Sequence, residues 1–220
     1  MEVSLAVEFN GIIVITPEKS YFGEHKVIEH ITNSGSLLHI RKPKMDRSEL
    51  SLYLEGISQS TKRENISIHY NLPLALKFAL GGCHIRYNEL LDALTTLKTT
   101  NTNQNLRFSC SLHSFKEAKE VEKEDFDYYF LSPIFDSISK KGYKSGFETS
   151  ELLQFLEKSR KAVALGGISL QNLGYLSDFY SIALIGAVWS IKDDKLDVEQ
   201  TIKNFDKILE KWERLKNFNI

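Results

Sequence analysis

Short runs rich in β-branched and aromatic residues recur along the chain, at residues 11–16 (GIIVIT), 36–41 (SLLHIR), 65–70 (NISIHY), 81–86 (GGCHIR), 106–111 (LRFSCS), 127–132 (DYYFLS), 161–166 (KAVALG) and 180–186 (YSIALIG). The stretches between them, among them SELSLYLEGI, LPLALKFAL, NELLDALTTL, SFKEAKEVEK, TSELLQFLEK and SLQNLGYLSD, carry apolar residues three or four apart, which is helical spacing. A last helix over residues 198–218 sets Ile202, Phe205, Ile208, Leu209, Trp212 and Leu215 on one stripe, read as core packing. Strands alternating with helices argue for parallel βα units, and eight of them fit a (β/α)8 TIM barrel, with 220 residues near the low end of that fold's size range. An open doubly wound sheet also alternates, but ITPEKSYFG after the first strand has no G-x-G-x-x-G.

A barrel brings the C-terminal ends of its strands to one mouth. Collected there are Thr16, His39, Arg41, His69, Tyr70, His84, Arg86, Ser111, His113, Ser132, Gly167 and Gly186, a set suited to an anionic organic substrate. His69 and His84 end consecutive strands. They read either as an acid/base pair titrating near neutrality or as inward-packed, hydrogen-bonded barrel histidines.

Two segments look like oxyanion cradles. In SPIFDSISKK the hydroxyls of Ser137 and Ser139 precede Lys140 and Lys141, so hydroxyls, backbone N–H groups and a cation can converge on phosphate oxygens. Farther on, AVAL at 162–165 ends in Gly166-Gly167-Ile168 before a helical pattern, a junction at which backbone amides can approach a phosphate.

Composition narrows the picture further. No Pro/Gly/Ser-rich linker or charge block divides the chain, and the polar stretch at 99–105 reads as a loop, so one domain over 1–220 is expected. The formal net charge is −1 and the basic residues are dispersed, which argues against a nucleic-acid partner. No window approaches a membrane span, and the start MEVSLAVEFNG lacks a basic lead and a long apolar stretch, so a cytoplasmic protein with no membrane partner is expected. Cys83 and Cys110 are read as small reduced core residues, since no CxxC or HxxxH spacing accompanies them. Nothing here fixes an assembly state, and a homo-oligomer stays open.

The succession HIRKPK at 39–44, IHYNLPLAL at 68–76, CHIRYNE at 83–89, SCSLHSFKEA at 109–118, SPIFDSISKK at 132–141 and ALGGISLQN at 164–172 resembles thiamine phosphate synthase, of a superfamily that includes a thiazole tautomerase branch. The resemblance covers almost the whole chain. It implies a barrel transferase that joins a pyrimidine methyl diphosphate to a thiazole phosphate and releases pyrophosphate with Mg2+. Carried onto this chain, it implies that Arg41 and Lys140 hold the diphosphate and Ser111 contacts the same substrate. Ser137, Ser139, Gly167 and the backbone at Ile185 and Gly186 would hold the thiazole phosphate, while Glu89 would serve the metal. His39 and His69 would stand in the pyrimidine pocket. The departures are specific: His39 replaces the family's usual glutamine, and Pro43 takes its lysine place, leaving Lys42 or Lys44. His69-Tyr70 replaces an Asn-Asp pair, and Pro133 stands where the tautomerase branch has its histidine. A metal-independent tautomerase using His69 or His113, and a non-catalytic binder of phosphorylated thiamine intermediates, are the alternatives.

Overall fold

The computed structural model describes residues 11–100, 105–121, 123–135, 149–159 and 161–217. Eight strands, β1 (Ile13–Ile15), β2 (Leu37–Ile40), β3 (Ile66–His69), β4 (Gly82–His84), β5 (Arg107–Leu112), β6 (Tyr128–Leu131), β7 (Ala162–Leu165) and β8 (Ser181–Leu184), pair in parallel in chain order, and β8 returns to β1 to close a barrel. Helices α1 (Glu24–Asn33), α2 (Arg47–Glu55), α3 (Leu72–Lys77), α4 (Leu90–Thr99), α5 (Phe115–Val121) and α6 (Thr149–Leu156) follow β1 to β6 in turn. The chain is a (β/α)8 barrel, as the alternation implied.

Two elements differ from the pattern-based expectation. The stretch after β7 forms a 3-10 turn over Leu173–Leu176 and no α-helix, in keeping with Asn172 and Gly174, both poor helix formers. After β8 the chain makes a hairpin, β9 (Ile191–Lys192) with β10 (Lys195–Leu196), before the long helix α7 (Val198–Asn217). Its turn residues Asp193 and Asp194 sit at φ 49° and 57°, a left-handed pair that short acidic side chains tolerate. On α7, Thr201, Phe205, Ile208 and Trp212 are buried, while Ile202, Leu209 and Leu215 are only partly so.

Alternation along each strand sorts the core into two layers. Outward residues such as Ile12, Val14, Leu38, Ile68, Phe108 and Tyr129 pack under the helices. Cys83 and Cys110 belong to this layer as free buried thiols, each pushed by burial up to about 12. Inside the barrel, Ile13, Ile15, Leu37, Tyr128, Phe130, Val163 and Ala183 form a separate apolar cluster supplied by β1, β2, β6, β7 and β8. The opposite arc is polar. The register pairs His39 with Ser67, Ser67 with Gly82, His69 with His84, and His84 with Ser109, so all of these face inward.

At the floor of this arc the strands close on glycine. A Cβ on Gly81 would collide with the Glu64 carbonyl, and the backbone cannot retreat because the Gly81 N–H donates to Arg63 O (2.9 Å) and its carbonyl accepts from Arg107 N–H (3.0 Å). Gly81→Ala is therefore expected to lower stability by at least about 2 kcal/mol, the scale of core overpacking, in urea denaturation. Gly174→Ala, where a Cβ meets nothing within 4 Å, should stay within about 1 kcal/mol of the parent; equal effects at the two positions would refute the steric account.

Candidate active site

The polar arc rises to the mouth as a network of rings and hydroxyls. His39, fully buried on β2, places Nδ1 3.1 Å from His69 Nε2 and Nε2 2.6 Å from the Tyr128 hydroxyl. On β4, His84 bonds Ser109 Oγ through Nδ1 (2.9 Å) and Ser111 Oγ through Nε2 (3.0 Å). His69 and His84 stack with centroids 4.2 Å apart, and His84 stacks in turn on Phe130. Three adjacent strands in register thus put three imidazoles together.

Burial holds all three well below the ordinary histidine value. For His39 the next causes are His84 and Arg107; for His69 they are His84, His39 and Arg41. His84 is brought down to about 3 by burial, with Arg41 adding to it. The barrel interior thus disfavours the imidazolium at His69 and His84, which speaks for packed rings over an acid/base pair titrating near neutrality. Of the two expected pyrimidine-pocket histidines, His39 is fully buried and His69 is partly exposed at the mouth.

Arg41 follows β2 at the rim. Its N–H donates to Thr16 Oγ1 (3.0 Å), and its guanidinium pairs with Glu18 at 2.6 Å while staying more than a third exposed. Lys42 points the other way. Its Nζ is sealed under the loop between β1 and α1, donating to Glu24 Oε1 (2.6 Å) and to the carbonyls of Pro17 and Lys19 (2.8 Å each). Both charged groups have fully buried side chains, and Glu24 also accepts from Tyr53 OH (2.9 Å) and Tyr21 N–H (3.0 Å). Lys42 is therefore a structural cation and cannot stand in for a phosphate-binding lysine; Lys44 is exposed.

Glu89, the expected metal ligand, is committed elsewhere. Its carboxylate pairs with Arg86 at 2.6 Å and accepts the Arg86 backbone N–H at 3.1 Å. Arg86 in turn lies over the ring of Tyr70, which takes a left-handed φ of 56° at the exit of β3, uncommon for an aromatic residue. Ser111 is half-buried beside His84. His113 is tied to the opening of the next βα loop, Nδ1 to Ser132 O at 2.8 Å.

The glycine turn after β7 has the conformation that its residues suggest, with φ 98° at Gly166 and 66° at Gly167. Asn172 clasps it, donating to Gly167 O (2.9 Å) and accepting from Ser169 N–H (2.8 Å). The chain leaving β6 docks on the same turn: Ile134 N–H donates to Leu165 O (3.0 Å) and Phe135 N–H to Gly166 O (3.2 Å). With no α-helix starting there, the oxyanion-binding capacity of this turn rests on its amides alone. Ile185 and Gly186 form the exposed turn after β8. Ser137, Ser139 and Lys140 lie outside the described residues, so the structure brings together Arg41, His69, Ser111 and the β2–β5 rim but is silent on the hydroxyl–lysine loop beyond Phe135.

A family model described as thiamine monophosphate synthase matches residues 12–188. The chain belongs to this family. Among its relatives, the thiamine-phosphate synthase of Helicobacter pylori is 28% identical over 141 residues, 62% of this chain and 63% of the relative. The Prochlorococcus marinus enzyme of the same name is 27% identical over 201 residues, 88% of this chain and 55% of the relative. The chain thus spans less than two thirds of the length of either. A crystal structure of thiamine phosphate pyrophosphorylase from Bacteroides thetaiotaomicron superposes with a TM-score of 0.72 at 27% identity, covering 94% of this chain and 98% of that one. Within the matched region, His39, His69 and Tyr70 lie on or directly beyond β2 and β3.

Sequence reasoning missed Tyr128, Ser109 and the Glu24–Lys42–Tyr53 cluster. Strand parity held the signal for the first two, since Ser109 shares a face with Ser111 and pairs with Tyr128 across β5 and β6. No short motif announces the third, whose members are joined only by the fold.

Proposed function

We propose that this chain is a thiamine phosphate synthase, joining hydroxymethylpyrimidine diphosphate to thiazole phosphate with release of pyrophosphate. Membership of the family across residues 12–188 carries the reading, and the placement of Arg41 supports it. With its backbone N–H held by Thr16, Arg41 presents a guanidinium that is more than a third exposed and can take a diphosphate by exchanging Glu18 for phosphate oxygens. In this reading the C–O bond to the diphosphate breaks to give a stabilised pyrimidine cation, which the thiazole nitrogen captures. Arg41 and Lys140 bear the departing charge, and Ser111 and His69 orient the pyrimidine. The thiazole phosphate sits on Ser137, Ser139, the Gly167 turn and the backbone at Ile185 and Gly186. Catalysis is then positioning and leaving-group stabilisation. The substrates are small soluble phosphates, consistent with one cytoplasmic domain, and no helix of the described residues is long and apolar enough to cross a membrane.

Mg2+ is the metal that such an activity implies, and it favours an octahedron of oxygens. The described rim offers it few oxygens: Glu89 pairs with Arg86, Glu18 pairs with Arg41 until a diphosphate exchanges with it, and the nearest cluster of ligating side chains is three imidazoles. The proposed roles therefore rest on the cationic side chains.

The purified protein with both substrates should form thiamine phosphate and pyrophosphate, and Arg41→Ala should lower kcat/KM roughly 10- to 100-fold, the worth of one or two hydrogen bonds to a charged group. No product at saturating substrate, with and without added divalent ions, would reject the assignment. The tautomerase and non-catalytic readings draw no support from the relatives, which are synthases by name.

A further inference from the structure

We propose that His39, His69 and His84 form a binding site for one divalent transition-metal ion, with Zn2+ as the reference ion. Each offers a ring nitrogen, and the three nitrogens lie within 4.8 Å of one another. The closest facing pair, His39 Nδ1 and His69 Nε2, is 3.1 Å apart, against about 3.4 Å for two nitrogens bound tetrahedrally at zinc–nitrogen bond lengths. Three imidazoles with an open side are a donor set for Zn2+ and its neighbours in the first transition row and a poor one for Mg2+.

The surroundings are those of ligating histidines. A metal-bound imidazole commonly has its second nitrogen held by an oxygen that fixes ring orientation. Here Tyr128 OH holds His39 Nε2, and Ser109 Oγ holds His84 Nδ1, while His84 Nε2 would exchange Ser111 Oγ for the ion. The hydrogen-bond network does not close by itself, because His69 Nδ1 is buried with no hydrogen-bond partner among the described residues. If His39 donates to His69 Nε2, Nδ1 keeps an unused N–H. If His69 donates instead, Nδ1 keeps an unused lone pair. Either state leaves an open valence, which buried polar atoms rarely tolerate. Inversion of the His69 ring would turn Nδ1 toward His39, where an ion entering from the mouth, at which His69 is only partly covered, could take it as a ligand. The site is distinct from Glu89, which remains on Arg86.

The test uses the full chain stripped with a chelator and needs no substrate, so it stands or falls apart from the synthase assignment. Titration with Co2+, followed by its visible ligand-field bands, and with Zn2+ by calorimetry should give one ion per chain at neutral pH, with excess Mg2+ failing to compete. His69→Asn and His84→Asn should each weaken binding at least roughly tenfold. X-ray absorption of the zinc-loaded parent protein should show imidazole nitrogens at about 2.0–2.1 Å; this measurement decides the matter if either variant fails to fold. Absence of stoichiometric Co2+ and Zn2+ binding, unchanged affinity in both variants, or sulfur in the inner shell would overturn the site.

Discussion

Lys42→Ala should destabilise the barrel by about 3–5 kcal/mol, the usual consequence of leaving one member of a buried ion pair alone. Burial already pulls the Lys42 ammonium below its ordinary value, with Glu24 opposing that, and pushes the Tyr53 phenol well above its own, with Glu24 adding to the rise. Removing the cation leaves the Glu24 carboxylate with only Tyr53 OH and Tyr21 N–H as donors, and strips the carbonyls of Pro17 and Lys19 of theirs. At a fall of ~2–4 °C per kcal/mol for a chain of this size, the midpoint of thermal unfolding should drop by about 6–20 °C. The exposed neighbour gives the contrast, since Lys44→Ala should shift stability by no more than about 0.5 kcal/mol. Combining Lys42→Met with Glu24→Leu should restore much of the loss, because burying neither charge avoids both desolvation costs. A single Lys42→Ala variant within about 1 kcal/mol of the parent would show that the pair contributes nothing.

The second large effect is a loss of stability on mild acidification in the presence of a chelator. His39, His69 and His84 have folded-state values depressed below the ordinary 6.5, His84 to about 3. Below pH 6.5 the unfolded chain therefore binds protons that the folded barrel refuses, and stability falls as pH drops, with the loss for His84 continuing to about pH 3. At pH 5 the loss is about 2 kcal/mol for each histidine that stays neutral in the barrel, and about 6 kcal/mol if all three do. That approaches the whole stability of an ordinary domain. Urea denaturation at pH 7 and pH 5 measures it, and His69→Asn should recover about one third of the difference. Equal stability at the two pH values would mean that the rings accept protons where they sit.

The barrel was legible in the sequence because strands covered on both faces leave uninterrupted apolar runs such as IIVI, YYFL and AVAL, and because eight of them alternate with helical spacing. The Gly166-Gly167 turn was legible for a local reason: a glycine pair at a strand end marks backbone with positive φ, and the 98° at Gly166 is a value that side chains seldom allow. What could not be read was direction and depth. Arg41 and Lys42 are neighbours of equal charge, yet one emerges at the rim and the other dives beneath the loop after β1, a choice made by a carboxylate 18 positions upstream. Three histidines at three strand ends were visible one by one. Their convergence depends on the stagger between β2, β3 and β4, which sets His39 level with Ser67 and His69 level with His84. The hairpin Ile191–Leu196 was hidden because its turn is built from two aspartates and contains neither glycine nor asparagine.

The unequal lining of the barrel interior has a consequence for how such a molecule can change over generations. Along β6, β7, β8 and β1 the inward side chains are mostly packed hydrocarbon or ring, so substitutions there are paid for in folding. Across β2 to β5 the inward positions nearer the mouth are imidazoles and hydroxyls, at His39, Ser67, His69, His84, Ser109 and Ser111, polar groups whose packing is less tightly interlocked. New substrate preferences should therefore accumulate on one side of the lumen, while the other acts as a keel that keeps the vessel upright.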